Sequence, residues 1–331
     1  MEVKIINDKA ALSILNQLPY PFCEEYIAFE RSRGFGYYII CDIAERFFIP
    51  LKVSKRQIFY VGIFTHAPVA ISGNINAEEE REFVNAATAL SANRFKCIRI
   101  EPGSTISVFQ SYPDGAKAVE LGLFSVGFDK TEDEIFGAFN STYRNEIRNA
   151  EKTGIEIRYG KSELPAFYDC YADTHKRQGA AYEPLQFFEG VFNSLGEDKV
   201  LCATAYVNGM ADAAVFLIYT EYAGYYMYAG SAAKTQLKGS TKKILWDCMR
   251  LMKQRGTRQF ILGGARHKNV AGTKFEGIQN FKRRFGAQVT DGYIWKKDLN
   301  LWMCTAYDLL FWLKCRISGS AVPKDIVDSQ L

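Results

Sequence analysis

Apolar residues recur every three or four positions between Thr131 and Gly154, where Ile135, Phe139, Tyr143, Ile147 and Ala150 form one stripe. Thr131 and Glu134 make a T-x-x-E capping box, and Gly154 stands where a C-cap glycine belongs, so the pattern predicts one helix over 131–154. Before it, apolar runs predict strands over 37–40, 47–53, 57–64 and 96–100, with helical spacing over 77–91 and closure of this part near Phe128. After it come a strand over 155–159 and a helix over 164–177. Two strands, 199–207 and 210–220, follow as a hairpin turned by Asn208-Gly209. Strand 222–229, helix 241–255, strand 258–262, helix 273–285 and strand 288–297 complete the series. The pattern predicts two α/β parts, with no low-complexity stretch between them and no repeat between their sequences.

Three cations, Arg144, Arg148 and Lys152, follow one another at spacings of four along the 131–154 helix. Two readings stay open. They complement the helix dipole on a solvated face, or they form a rail for phosphate or another anion.

Composition narrows the class without choosing the activity. At 331 residues and 48% hydrophobic, the chain can bury one large core or two medium ones. A net charge of +4 does not by itself imply nucleic acid. Eight cysteines without a C-x-x-C pair suit a reducing compartment, and the N-terminus lacks the apolar run of an export signal. His66, His175 and His267 show no metal-ligand spacing, so no metal is expected.

The string R-N-E-I-R-N-A-E-K-T-G at 144–154 resembles the helix that opens the second half of FemAB-like acyltransferases, the tandem-GNAT family of peptidoglycan bridge-forming enzymes and their shorter relatives. Four more elements follow in the family's order. Tyr228-Ala-Gly-Ser231 is similar to its Y-x-G-S/A strand end, and Leu245-Trp246 stands at its l-x-W position. Gly263-Gly264 ends the next strand, and F-K-R-R-F-G at 281–286 is similar to F-K-x-x-F-G. The likeness covers 131–297; residues 1–130 match only loosely.

The resemblance implies an α/β (α+β) fold of tandem GNAT-like domains, with mixed central sheets flanked by helices. Its domains would be 1–130, a GNAT domain at 131–298, and a C-terminal amphipathic helix and tail at 299–331. It implies an acyl-CoA donor, with no bound cofactor, held where Gln236, Lys238, Gly239, Ser240 and Thr241 are similar to the GNAT pyrophosphate loop; Thr241 departs from the usual Gly or Ala. Free amides at a helix N-terminus make that an anion site, although Gly-Ser-Thr is also ordinary capping chemistry. Lys282 takes the place of the lysine that stabilises the acyl oxyanion. Tyr226 and Tyr228, expected on one strand face, are the candidate acid or amine ligand, or else packing. Phe281 would border the acceptor with Arg144 and Arg148, and so would His175 and Arg177, which otherwise cap the end of their helix. Asp173, Glu183 or a water chain would supply the base.

The expected activity is transfer of an acyl group to an amine of a cell-surface glycan or peptidoglycan precursor, in the cytoplasm or at the inner face of the membrane. The alternatives are an aminoacyl-tRNA-dependent bridge ligase and a catalytically degenerate GNAT pair serving as a scaffold. The chain lacks the charged helical-hairpin insertion of the best-known tRNA users, which leans against tRNA. The apolar tail at 299–317, LNLWMCTAYDLLFWLKCRI, either packs on the second part or lies in the plane of a membrane or on a partner.

Overall fold

A computed structural model describes residues 1–6, 17–319, 322 and 325–331, so the reading of the N-terminus as free of an export signal falls partly outside the described residues. After β1 (Val3–Ile6) and α1 (Glu24–Ser32), the chain lays down antiparallel strands β2 (Gly36–Asp42), β3 (Phe47–Arg56) and β4 (Phe59–Phe64). A short β5 (Val69–Ala70) pairs back on β3. Helix α2 (Ala77–Phe95), opened by an Asn76–Glu79 capping box, then crosses to β6 (Cys97–Glu101), parallel to β4.

Beyond β7 (Lys117–Gly127), α3 (Glu132–Ala138), α4 (Ser141–Lys152), β8 (Glu156–Tyr159), α5 (Leu164–Gln178) and α6 (Leu185–Leu195), the same order returns. Strands β9 (Val200–Val207), β10 (Met210–Tyr219) and β11 (Gly224–Ser231) are antiparallel; α7 (Ser240–Gln254) crosses to β12 (Gln259–Arg266), which is parallel to β11. The β9–β10 turn carries φ +51° at Asn208 and +76° at Gly209, the left-handed pair that an Asn-Gly hairpin requires. After α8 (Lys274–Arg283), β13 (Gln288–Asp298) closes the series and α9 (Leu301–Ile317) follows.

The two parts are joined through exchanged strands. The sheet runs β1-β2-β3-β4-β6-β13-β7-β12-β11-β10-β9-β8. β7 follows β6 in sequence yet pairs with β12, while β13 follows β12 in sequence yet reaches β6 through Lys297 and Asp298. β7 and β13 pair with each other over nine register positions, so one mixed sheet spans both parts with helices on its faces. β7 has no counterpart among the strands expected from the sequence, which placed nothing between 100 and 131.

Two further expectations change. The 131–154 helix is two helices, because Phe139 takes an extended conformation (ψ 147°) and the Asn140 side chain accepts from the Thr142 N–H to cap α4 anew. The stripe survives the break, since Ile135, Phe139, Tyr143, Ile147 and Ala150 are all buried. The tail helix α9 packs on the first part, not the second: Cys304 and Tyr307 bury against Phe59, Val61 and Ile98.

Candidate active site

β11 and β12 share only two parallel register positions, Gly224 with Phe260 and Tyr225 with Ile261. Just past them each strand carries an extra residue, Met227 on β11 and Leu262 on β12, where its antiparallel register shifts. Gly263 adopts φ +86° at the second bulge, and β12 continues to Arg266 instead of ending at Gly263-Gly264 as the sequence suggested. The strands therefore part, and their facing backbone groups line a gap open to hydrogen bonding.

The bulge at Met227 separates two residues that strict alternation puts on one face. Tyr226 stacks on Phe281 (centroids 6.2 Å, 30°) on the α8 side of the sheet. Tyr228 lies on the opposite side, edge-on to Tyr171, Phe187 and Phe188. Burial holds both phenols protonated well above their ordinary range. Gly230, two residues on, touches the backbone of α5: a Cβ there would collide with the Cys170 carbonyl and the Tyr171 nitrogen. The Y-x-G-S segment thus fixes a helix against the strand end.

Lys282 enters from α8 and donates from Nζ to the Gly264 carbonyl at 2.9 Å. It is 9% exposed, with no carboxylate partner among the described residues, and burial lowers its pKa to about 8. Its neighbours explain the rest of the hexamer. Phe285 packs on Phe139, Tyr143 and Phe281, and Gly286 (φ +66°) lies where a Cβ would meet the Ala138 carbonyl.

The loop between β11 and α7 is organised by a buried residue that the sequence reading did not single out. Asp212 on β10 accepts from the Gln236 N–H (2.5 Å), the Leu237 N–H (3.3 Å) and the Ser240 hydroxyl (2.5 Å). The N–H groups of Lys238, Gly239, Thr241 and Lys242 carry no hydrogen bond to the described residues. Residues 236–239 line a cavity of about 480 Å³ whose other wall is Thr142, Asn145, Glu146 and Asn149 of α4. Gly239 is required by α4 rather than by a ligand, because a Cβ would strike the Glu146 carbonyl. Lys242 pairs with Glu146 (2.9 Å) and Lys243 with Asp247 (2.6 Å), whereas the loop cations Lys234 and Lys238 have no carboxylate partner among the described residues.

A model of the FemAB family matches residues 128–211. The crystal structure of FemX superposes with a TM-score of 0.71 at 13% identity, over 92% of this chain and 99% of that one. The C-terminal domain (DUF2156) of a protein described as a lysylphosphatidylglycerol synthetase from Agrobacterium fabrum gives 0.54 at 16% identity, over 90% of this chain and 95% of that one. L-PGS from Bacillus licheniformis gives 0.51 at 14% identity, over 91% and 98%. No curated protein is matched by the sequence. The chain is thus similar to the FemAB family over residues 128–211, and its fold is similar to that of FemX over nearly its whole length. The family match over residues 128–211 supports an acyltransferase.

Within this FemAB-like frame the remaining candidates fall into separate groups. Arg144 donates to the carbonyls of Phe139 (2.8 Å) and Gly137, closing the end of α3, and Arg148 lies over the Phe136 ring. Both point toward α3, not into the cavity that α4 shares with the 236–239 loop. Arg177 ties α5 to β11 through the Ser231 carbonyl (2.9 Å) and pairs with Asp173 (2.6 Å). His175 packs on Tyr171, ring centroids 4.4 Å apart. Tyr228 instead lines a cavity of about 450 Å³ between the two parts, with Glu30, Arg33, Phe35, Lys52, Glu183 and Phe187 among its walls. There Glu30, 2% exposed, accepts from Lys52 (2.7 Å) and the Tyr26 hydroxyl (2.9 Å), while Arg33 reaches Glu183 at 4.0 Å. Of the carboxylates considered as base, Glu183 stands in this cleft and Asp173 is bound to Arg177.

Proposed function

We propose that this FemAB-like protein is an N-acyltransferase that moves an acyl group from acyl-CoA to an amine of a cell-surface glycan or peptidoglycan precursor. The observation that carries the reading is the parting of β11 and β12 beside a buried, singly hydrogen-bonded lysine. The free amides of Lys238, Gly239, Thr241 and Lys242 suit the donor's phosphates, and the open strand edges suit the amide groups of an extended pantetheine arm. Phe281, Tyr226 and Lys282 lie toward one side of the sheet and the Glu30–Glu183–Tyr228 cleft toward the other, so in this reading the acceptor amine reaches the thioester through the gap.

In the proposed step Glu183 takes a proton from the acceptor ammonium, and the freed amine attacks the thioester carbon. A C–N bond forms, and negative charge develops on the carbonyl oxygen. The Lys282 ammonium stabilises that charge; the C–S bond then breaks, and the leaving thiolate takes up the proton that the attacking nitrogen sheds. Arg33 and Lys52 supply cations for an anionic acceptor, and the two carboxylates supply charge for its amine. Eight unpaired, buried cysteines support a reducing compartment and hence action at the cytoplasmic side of the envelope.

Calorimetry with acetyl-CoA, longer acyl-CoAs and charged tRNA tests the donor. Heat with a CoA ester and a ligand-dependent rise in melting temperature are expected. Binding of charged tRNA alone would replace acyl-CoA by an aminoacyl donor. Binding of neither would favour a scaffold role.

A further inference from the structure

We infer that α9 is an in-plane anchor that seats the protein on an anionic lipid surface. The helix is held rigidly from beneath. Asn300 caps it by accepting from the Met303 N–H at 3.0 Å, and Cys304 donates to the Ile98 carbonyl. Arg99 grips Asp308 with two hydrogen bonds of 2.8 Å, and Tyr307 meets Arg56 at 3.0 Å. These contacts fix Cys304, Tyr307 and Cys315 inward.

The outward face is apolar as well. Trp302, Ala306, Leu309 and Leu313 follow at the i, i+4, i+7, i+11 spacing of one helix stripe, flanked by Leu310 and Ile317, and every one of them is exposed. Trp302 is 88% and Ile317 87% exposed. A surface helix normally turns its polar side to water, and a helix apolar all round needs a second apolar environment. The polar residues lie elsewhere on the helix: Asp308 is neutralised by Arg99, while Lys314 and Arg316 have no carboxylate partner among the described residues. The last turn therefore carries two cations without a carboxylate partner among the described residues, and Arg316 lies over the Trp312 ring.

Area and charge choose the occupant. Seventeen residues make a helix about 25 Å long and about 10 Å wide, a footprint of roughly 250 Å². A standard protein interface buries about 800 Å² on each partner, so one such face is too small to hold a second copy by itself. An interfacial helix needs no more than this: a row of large apolar side chains with Trp at the boundary and Lys or Arg toward anionic headgroups. No helix among the described residues is long and apolar enough to cross a membrane, so contact through α9 would be peripheral.

The test uses the full chain with vesicles of phosphatidylcholine, with and without phosphatidylglycerol. Co-sedimentation is expected with the anionic vesicles. It should bring a blue shift in tryptophan emission, because Trp246 and Trp295 are already buried and only Trp302 and Trp312 can respond. Leu309→Glu with Leu313→Glu should abolish binding without lowering the melting temperature, since both side chains point to solvent. Lys314→Glu or Arg316→Glu should weaken it at least about fivefold, an effect that fades with salt. Failure of the full chain to bind anionic vesicles would overturn the inference. Micromolar self-association lost in the double Leu variant, without vesicle binding, would assign the face to a second copy instead.

Discussion

The Lys282 ammonium on α8 and the Gly264 carbonyl on β12 are 2.9 Å apart, at the edge of the gap where β12 leaves β11. A cation held by one neutral acceptor in a buried site keeps donors for a second partner, which an acyl oxyanion would supply. Lys282→Met preserves the stem and removes the charge. It should lower kcat by about 10²–10³ while changing KM far less, the mark of an interaction made mainly in the transition state. Arg283→Met, on the exposed neighbour, is the matched control. Equal activity of the two variants would leave the F-K-R-R-F-G segment a packing element.

The same burial sets a pH dependence. Lys282 falls from the ordinary lysine value of 10.5 to about 8, because burial penalises the charged form. If the cation is needed, activity should drop as pH rises through about 8. Stability should run the other way. Between about 8 and 10.5 the unfolded chain holds a proton that the native lysine has lost, so this residue makes stability rise with pH across that window. The cost of the buried charge is fully present below it. Urea midpoints at pH 7, 9 and 10 should show this slope in the wild type and lack its Lys282 part in Lys282→Met.

Asp212 orders the donor loop from below by engaging three of its donors. Asp212→Asn keeps the shape but removes the charge and turns one acceptor into a donor facing N–H groups. It should cost about 2–3 kcal/mol in urea unfolding. The KM for acyl-CoA should rise more than the KM for the amine. Equal changes in both would mean that the loop does not hold the donor.

Arg144 and Arg148 face α3, so charge reversal on this side should not weaken substrate binding. Arg148→Glu should leave both KM values unchanged. Arg144→Ala should instead lower stability by about 1–3 kcal/mol, because the carbonyls of Gly137 and Phe139 lose their donor. A salt-dependent rise in KM for Arg148→Glu would restore the anion-rail reading.

Local chemistry made much of this fold readable. The Thr131–Glu134 capping box, the Asn208-Gly209 turn and the apolar stripe through Ile147 each specify their structure within a few residues. What escaped depends on neighbours distant in sequence. No local pattern tells that β7 joins the sheet of the later part, since the pairing is decided by β12 and β13. The stripe hides the break at Phe139 and Asn140 because α3 and α4 pack on the same core. Strict alternation placed Tyr226 and Tyr228 together, and one inserted residue, Met227, turned them apart. Asp212 was visible only as a carboxylate in the apolar run M-A-D-A-A-V-F-L-I-Y, a signal that the loop it binds makes intelligible. The cleft around Glu30 joins side chains from both parts and has no signature along the chain.

Two carboxylates stood level as the base, and their surroundings separate them. Asp173 is one helical turn from Arg177 and bound to it at 2.6 Å, outside the cleft that Tyr228 lines. Glu183 is half-buried in that cleft, with Arg33 at 4.0 Å and its own backbone N–H directed to the Tyr171 hydroxyl at 3.3 Å. Glu183→Gln retains size and hydrogen bonding but cannot accept the amine's proton. It should lower kcat by about 10²–10⁴ and remove the acid limb of the pH–rate profile. Asp173→Asn should cost stability through the lost Arg177 pair and leave kcat nearly intact. An amine acceptor supplied above its own pKa, already deprotonated, should recover much of the Glu183→Gln loss. Absence of that recovery, with the melting temperature unchanged, would make Glu183 a binding group for the acceptor and move the base elsewhere.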